Sequence, residues 1–190
     1  HYLDNGKTNV PLVAWAAIGR GWGSGSQHSQ AIQGLLLGVP GLKIIMPSTP
    51  HDAKGLLLAA IADNNPVLIF EHRWCMRNKG VVPEGIYKVP IGKGVYRRKG
   101  NDLTIVTWGA LVQKSVEAAR NTGISTEIID IRTLNPLDMD SILSSLKKTN
   151  RLMVAHEDNI TGGFGAEISA RIANEGFELL DAPIKRVASL

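Results

Sequence analysis

The stretch LKIIMPSTPHDAKGLLLAAIADNNPVLIF, residues 42–70, decides the fold of this 190-residue chain. Two short apolar runs, 42–46 and 67–70, enclose a segment with strong helix signals. Thr49 stands at a capping position, Pro50 occupies the first helical position and Asp52 stands at the capping-box position. Apolar runs without period-two alternation are typical of strands covered on both faces. The stretch therefore predicts a strand–helix–strand unit with parallel strands.

The same alternation of strands and helices continues on both sides of this unit. Between residues 74 and 95, Gly80, Pro83, Gly85 and Pro90 interrupt any periodicity, which predicts a linker. The other predicted elements are strands at 10–17, 103–108, 126–131, 151–155 and 184–187, and helices at 31–37, 111–121, 138–148 and 166–174. We interpret the chain as α/β, with two doubly wound, mostly parallel sheets. The predicted domains are 1–80 and 99–190, with a linker at 81–98.

The composition is that of a globular protein, with 44% hydrophobic and 20% charged residues. The net charge of +4 is scattered, and its densest cluster, Arg97–Lys99, is too short to predict a nucleic-acid surface. We interpret it as ordinary surface, with an acidic partner protein as the alternative. The single cysteine, Cys75, permits no internal disulfide and favours a reducing compartment. No apolar run reaches the roughly 18 residues of a membrane span, and residues 1–9 lack a signal-peptide core.

The Gly-rich loop at 19–26 follows a predicted strand, as phosphate-binding loops do. Neither dinucleotide-binding nor P-loop spacing fits it, so we interpret it as a loop that needs open φ angles and can line an active site. His28 lies just after this loop, where catalytic groups of parallel sheets are found, although such a histidine is more often a surface or capping residue. The run 156–158 (His-Glu-Asp) offers a histidine beside two carboxylates, but three adjacent side chains cannot converge on one metal.

The end of the helix in the 42–70 stretch raises a separate possibility. The last carbonyls of a helix have no partners within it, and here Asp63 and Asn65 add further oxygen atoms. Such a set of oxygens suits a hard cation. A plain helix cap closed by asparagine and proline explains the same residues, so both interpretations stay open.

Several motifs, taken in order, resemble one known family. They are PLV at 11–13, QHSQ at 27–30, PGLK at 40–43, PSTP at 47–50, PIGKG at 90–94, IRTL at 131–134, HED at 156–158 and GGFGAEI at 162–168. Together they are similar to E1 β subunits of the pyruvate, branched-chain 2-oxo acid and acetoin dehydrogenases, which are transketolase-like proteins. The first half resembles the C-terminal part of their pyrimidine-binding domain, and the second half resembles their transketolase C-terminal-like domain.

The resemblance implies that the protein takes part in thiamine-diphosphate-dependent decarboxylation of a 2-oxo acid and in acyl transfer to the lipoyl arm of an E2 component. His28 matches the family histidine that supplies a proton or stabilises charge. In members with a potassium site, the matching positions are Leu12, Ala60 and Ile61, through backbone carbonyls, and Asp63 and Asn65. Family members work in the bacterial cytoplasm or the mitochondrial matrix.

The resemblance also implies a partner. In the family, the α subunit of an α2β2 assembly holds the diphosphate and its Mg²⁺, and the glutamate that activates the cofactor lies upstream of the residues matched here. We therefore expect the 190-residue chain alone to be inactive. Residues 12–16 already have the pattern of a buried strand, which predicts that earlier strands precede residue 1.

Two other functions remain open. The chain could be a non-catalytic assembly or docking module of the same fold. It could also belong to a branch acting on sugar phosphates, although no set of basic and histidine contacts for a substrate phosphate is apparent. The run 71–75 (EHRWC) departs from the Tyr- or Leu-rich patterns of the family, so it predicts no particular substrate.

Overall fold

The computed structural model describes residues 4–189, which form two mostly parallel sheets flanked by helices. The predicted α/β class is confirmed. The strands are β1 Val13–Ile18, β2 Lys43–Ile45, β3 Val67–His72, β4 Val95–Arg98, β5 Leu103–Thr107, β6 Thr126–Asp130, β7 Thr133–Asn135, β8 Leu152–Asn159 and β9 Lys185–Ser189. The α-helices are α1 Pro50–Ile61, α2 Leu111–Thr122, α3 Met139–Thr149 and α4 Phe164–Glu175.

The first sheet has the strand order β1-β3-β2-β7. Strands β2 and β3 are parallel, with Lys43 opposite Val67, so the 42–70 stretch forms the predicted parallel unit. Strand β7 closes this sheet by running antiparallel to β2. Because β7 lies within the segment predicted as the second domain, the two halves of the chain share one sheet.

The second sheet has the order β4-β6-β5-β8-β9 and is parallel except for β4, which runs antiparallel to β6 at one edge. Strand β4 lies inside the segment 81–98 that was predicted as a linker. The sequence pattern missed β4 and β7 because a run of three or four residues is too short to display a periodicity.

The helix predicted at 31–37 is instead a single 3₁₀ turn, Gln33–Leu36. Seven residues with a glycine near their centre do not sustain an α-helix without strong tertiary support. Close packing also requires glycine at position 34, since a Cβ there would lie 2.7 Å from the Oδ2 atom of Asp158. This contact brings the two halves of the chain together, so tertiary packing selects the tighter turn.

Helix α1 begins as predicted, with Pro50 at its start and the Thr49 side chain accepting a hydrogen bond from the Asp52 backbone N–H at 3.2 Å. The predicted capping box is nevertheless incomplete. The Asp52 carboxylate accepts hydrogen bonds from Arg97 and, at 3.1 Å, from Nη1 of Arg132. The start of α1 is therefore tied to the second half of the chain.

Arg97 stands at the centre of a buried charge cluster, which corrects its interpretation as ordinary surface. Its Nη2 atom donates to Asp52 and also to Oδ2 of Asp130 at 2.8 Å. Burial raises the pKa of Asp52, but Arg97, His51 and Arg132 outweigh it, so the net pKa is lowered. For Asp130 burial prevails over the pull of Arg97, and the pKa is raised.

Replacing Asp52 by alanine is expected to lower the free energy of unfolding by about 3 kcal/mol, because Arg132 would stay buried without a counter-charge. Urea unfolding monitored by circular dichroism measures the change. Asp140→Ala is the matched control, since the Asp140 side chain is 92% exposed and should contribute little. Equal unfolding midpoints for the two variants would contradict this account.

A second buried polar group is His156 in β8. Its ring stacks on Trp108, with centroids 5.0 Å apart and planes 7° from parallel. Neither ring nitrogen has a hydrogen-bond partner within residues 4–189. Burial, followed by the positive charge of Arg186, lowers the pKa of His156 to about 4.

This shifted pKa predicts a pH-dependent stability. The unfolded chain takes up a proton near pH 6.5, whereas the folded protein keeps His156 neutral down to about pH 4. Stability present at neutral pH is therefore lost as pH falls from 6.5 towards 4. Between pH 7 and pH 5 the loss is about 2 kcal/mol, and His156→Phe, which keeps a ring against Trp108, should remove it. Urea unfolding at both pH values tests this, and an unchanged loss in the variant would contradict it.

Candidate functional site

The carboxyl ends of strands from both sheets meet at the junction of the two halves. Gly19 directly follows β1, and His72 ends β3. From the second sheet, Gly109 lies two residues after β5, and a Cβ added there would lie 3.9 Å from the Cβ of His72. Ligands of parallel sheets bind outside the carboxyl ends of the strands, so this junction is the candidate site.

The Gly-rich loop follows β1 at this junction. Its glycines 19, 21, 23 and 25 all have positive φ angles, of 99°, 93°, 70° and 75°. Side chains other than glycine rarely adopt these angles, so the predicted need for open φ angles is confirmed. The loop is mostly exposed.

His28 ends a short 3₁₀ turn, Ser26–His28, just after the Gly-rich loop. Two side-chain hydrogen bonds stabilise this turn. Oγ of Ser29 donates to the carbonyl of Gly25 at 2.8 Å. The amide of Gln30 donates to the carbonyl of Ser26 at 3.2 Å. The side chain of His28 is exposed, and it makes no hydrogen bond within residues 4–189. It is thus accessible to a ligand or to another polypeptide.

Glu157 of β8 connects the second half to this loop. Its Oε2 atom lies 2.6 Å from Nε2 of His72, and its Oε1 atom accepts a hydrogen bond from the Arg20 backbone N–H at 2.9 Å. Burial raises the pKa of Glu157, but the hydrogen bonds from His72 and Arg20 outweigh it, so the net pKa is lowered. Glu157 is therefore a carboxylate at neutral pH.

The neighbours of Glu157 contact other groups, as expected for adjacent residues on a strand. His156 stacks on Trp108, and Asp158 packs beside Gly34 with its pKa raised by burial. Within the described range, 4–189, no three histidine, cysteine or acidic side chains cluster in a way that could hold a metal ion.

The residues predicted to bind potassium lie around the end of α1. The Ala60 carbonyl accepts a hydrogen bond from the Asp63 N–H at 3.1 Å, and the Leu12 carbonyl accepts one from the Val67 N–H at 2.8 Å. The segment just before β1 is close, because the backbone N–H of Val10 donates to the carbonyl of Asn64 at 2.9 Å. Ile61 is exposed at the end of the helix.

Lys43, which was not predicted, already neutralises this turn. Its Nζ atom lies 2.5 Å from Oδ2 of Asp63, while Oδ1 of Asp63 accepts hydrogen bonds from the backbone and side-chain nitrogens of Asn65. Burial raises the pKa of Asp63, and the bonds from Lys43 and Asn65 lower it further than burial raises it. The structure thus brings most of the predicted ligands together but supplies an internal ammonium group to their only carboxylate.

His72 and Glu157 were missed as partners because they are 85 residues apart. The available signal was weak: each is a polar residue at the carboxyl end of an apolar strand. That position points to a functional edge, but it does not reveal which side chains meet.

None of the helices in residues 4–189 is both long and apolar enough to cross a membrane.

Two family models match the chain. The transketolase pyrimidine binding domain matches residues 1–78, and the transketolase C-terminal domain matches residues 92–190. Among solved structures, an inactive β4 tetramer of a split-gene transketolase is similar with a TM-score of 0.70 and 24% identity, over 93% of this chain and 56% of that chain. This likeness concerns the fold.

Curated relatives from Bacillus subtilis (strain 168) confirm the resemblance inferred from the motifs. The β subunit of acetoin:2,6-dichlorophenolindophenol oxidoreductase is 46% identical over 99% of this chain and 56% of its own length. The 2-oxoisovalerate dehydrogenase β subunit is 42% identical over 98% and 58%, and the pyruvate dehydrogenase E1 β subunit is 40% identical over 99% and 59%. The chain therefore spans somewhat more than half the length of these relatives. Matched over more than half its length by one of the two family models, the chain belongs to the transketolase family.

Proposed function

We propose that this chain is part of the β subunit of a 2-oxo acid dehydrogenase E1 component. The observation that carries the proposal is the placement of His28, exposed on an open loop at the carboxyl edge of a parallel sheet. The E1 β relatives support the same assignment. The reaction would be oxidative decarboxylation of a 2-oxo acid with acyl transfer to the lipoyl group of E2.

The cofactor of this reaction would be thiamine diphosphate, which supplies an electron sink for decarboxylation when bound. The described residues fit a cofactor held mainly by another polypeptide, because the loop is open and His28 faces outward rather than into a closed core. We assign the diphosphate and Mg²⁺ to an E1 α subunit in an α2β2 assembly, located in a bacterial cytoplasm or a mitochondrial matrix.

Within this assembly, His28 would hold or deliver a proton beside the reacting carbons or the lipoyl sulfur. Imidazole suits this role because its ordinary pKa lies close to neutral pH. The Gly-rich loop would place the imidazole without covering the reacting atoms. The alternative, a docking module without catalysis, leaves the outward-facing histidine without a role.

Replacing His28 by alanine in the full-length subunit, assembled with its α partner, is expected to lower kcat for E2 acylation by roughly 10²- to 10⁴-fold. The exposed side chain makes no hydrogen bond within residues 4–189, so the unfolding temperature should not change. Assays with pyruvate, branched-chain 2-oxo acids and acetoin would identify the substrate at the same time. His51→Ala is the control for kcat alone: His51 lies outside the Gly-rich loop, so kcat should not change, whereas its hydrogen bond to Asp52 contributes to stability. Full activity in His28→Ala, with only assembly impaired, would favour a docking module.

The potassium site at Leu12, Ala60, Ile61, Asp63 and Asn65 is a further proposal. K⁺ would have to replace the ammonium group of Lys43 at the carboxylate of Asp63, since both are cations bound by the same oxygens. Competition of this kind makes the site sensitive to substitution of Lys43.

We therefore expect K⁺, compared with Na⁺ at equal ionic strength, to stabilise Lys43→Met more than the unsubstituted protein. At a K⁺ concentration ten times the Kd, the gain would be about 1.4 kcal/mol. Thermal unfolding in the two salts measures it, and Asp63→Asn should abolish the difference. Identical unfolding temperatures in K⁺ and Na⁺ for Lys43→Met would exclude the site.

A further inference from the structure

The Gly-rich loop is closed at its base by the chain itself. The backbone N–H of Gly19 donates to the carbonyl of Gln30 at 3.4 Å, so the segment 19–30 leaves and returns to one point. His28 lies two residues before the returning end. The position of the imidazole therefore depends on how firmly the base of this loop is held.

The base of the loop is held by the second half of the chain. Oε1 of Glu157 accepts the backbone N–H of Arg20, the residue directly after Gly19. On the other side, a Cβ at Gly19 would lie 2.2 Å from Nε2 of His72, so the imidazole of His72 packs directly against the backbone of Gly19. Two consecutive loop residues are thus fixed by Glu157 and by its own partner, His72.

Each carboxylate oxygen of Glu157 accepts a different hydrogen bond, and both bonds are needed to hold the base of the loop. The backbone N–H of Trp74 donates to Nδ1 of His72 at 3.2 Å, so Nδ1 is an acceptor and the ring proton lies on Nε2. That proton is donated to Oε2 of Glu157, at 2.6 Å, while Oε1 receives the Arg20 N–H. Two donors face two acceptor oxygens, and a glutamine of the same shape could satisfy only one of them.

These hydrogen bonds are strengthened by burial. The side chain of His72 is 2% exposed and that of Glu157 is 10% exposed. Charge-assisted hydrogen bonds in such surroundings are stronger and more directional than those in water. Glu157 is itself too enclosed to act as a general base on a ligand at the exposed loop.

We propose that Glu157 is a positioning residue, through which the C-terminal half fixes the base of the Gly-rich loop and so aligns His28. The catalytic consequence rests on the proposed function, whereas the anchoring of the loop does not. The role differs from a general contribution to stability, because removing the anchor should release residues 19–30 while the shared core stays intact.

The test compares Glu157→Gln and Glu157→Ala, with Glu167→Gln on exposed α4 surface as the matched control. Hydrogen exchange of the peptide 19–26 in the full-length subunit reports the anchor without any cofactor or partner. We expect roughly tenfold faster exchange in Glu157→Ala and a smaller increase in Glu157→Gln. Exchange in β5 and β6, in the core, should stay unchanged, as should all exchange in the control.

Kinetics of the assembled enzyme then report alignment. We expect kcat for E2 acylation to fall about tenfold in Glu157→Gln and further in Glu157→Ala, while KM for the 2-oxo acid changes less than twofold. Unchanged exchange of 19–26 overturns the proposal, and so does faster exchange with an unchanged kcat. An assembled enzyme that is inactive before any substitution overturns the proposed function instead, and the exchange data still decide whether Glu157 anchors the loop.

Discussion

Burial of one continuous apolar surface between the two halves is the constraint on which the rest of the structure depends. Ile44 and Phe70 of the first sheet lie in the same buried cluster as Trp108, Ile129 and Leu134 of the second half. Burial of apolar area is the main favourable contribution to folding, so neither half can keep this contribution while moving away from the other. The relative placement of the two sheets is therefore fixed by the core itself.

Polar groups at the same junction make the placement of the two halves more specific. The cluster of Asp52, Arg97, Asp130 and Arg132 pairs two carboxylates with two guanidinium groups. Burying such charges costs about as much as their attraction returns, so their contribution to net stability is small as long as all partners are present. Only one arrangement of the halves satisfies every member. The cluster thus defines the relative placement of the two halves more closely than apolar packing does alone.

Much of the fold could be predicted where the signal is local. The start of α1 was readable because Thr49 and Pro50 act on their own backbone. The strands at 42–46 and 67–70 were readable because, apart from Lys43, they consist of apolar residues. Strand β7 was not readable, because Thr133–Asn135 becomes a strand only by pairing with β2. Periodicity describes a segment in isolation, whereas a three-residue strand is created by its neighbour.

In the candidate site, too, local features could be predicted from the sequence, whereas long-range contacts could not. The sequence placed His28 beside a Gly-rich loop, and the open φ angles of that loop were predictable from its glycines. The roles of Lys43 at Asp63 and of Glu157 at Arg20 were not, since both depend on contacts between distant segments. Local pattern identifies which residues carry chemistry, but tertiary contacts determine how their charges are balanced.

A loop rich in glycine creates a conflict that the structure has to resolve. Glycines 19, 21, 23 and 25 allow the chain to turn sharply and expose His28, yet each also enlarges the set of conformations available to the loop. Ordering such a segment costs backbone entropy at every residue. The hydrogen bonds at Gly19 and Arg20 restrict the backbone at the base of the loop, so the loop cannot shift as a whole. The tip of the loop keeps its conformational freedom and can adjust to a ligand. The proposed catalytic group, His28, is therefore open to a ligand while the base of its loop is fixed by the other half of the chain.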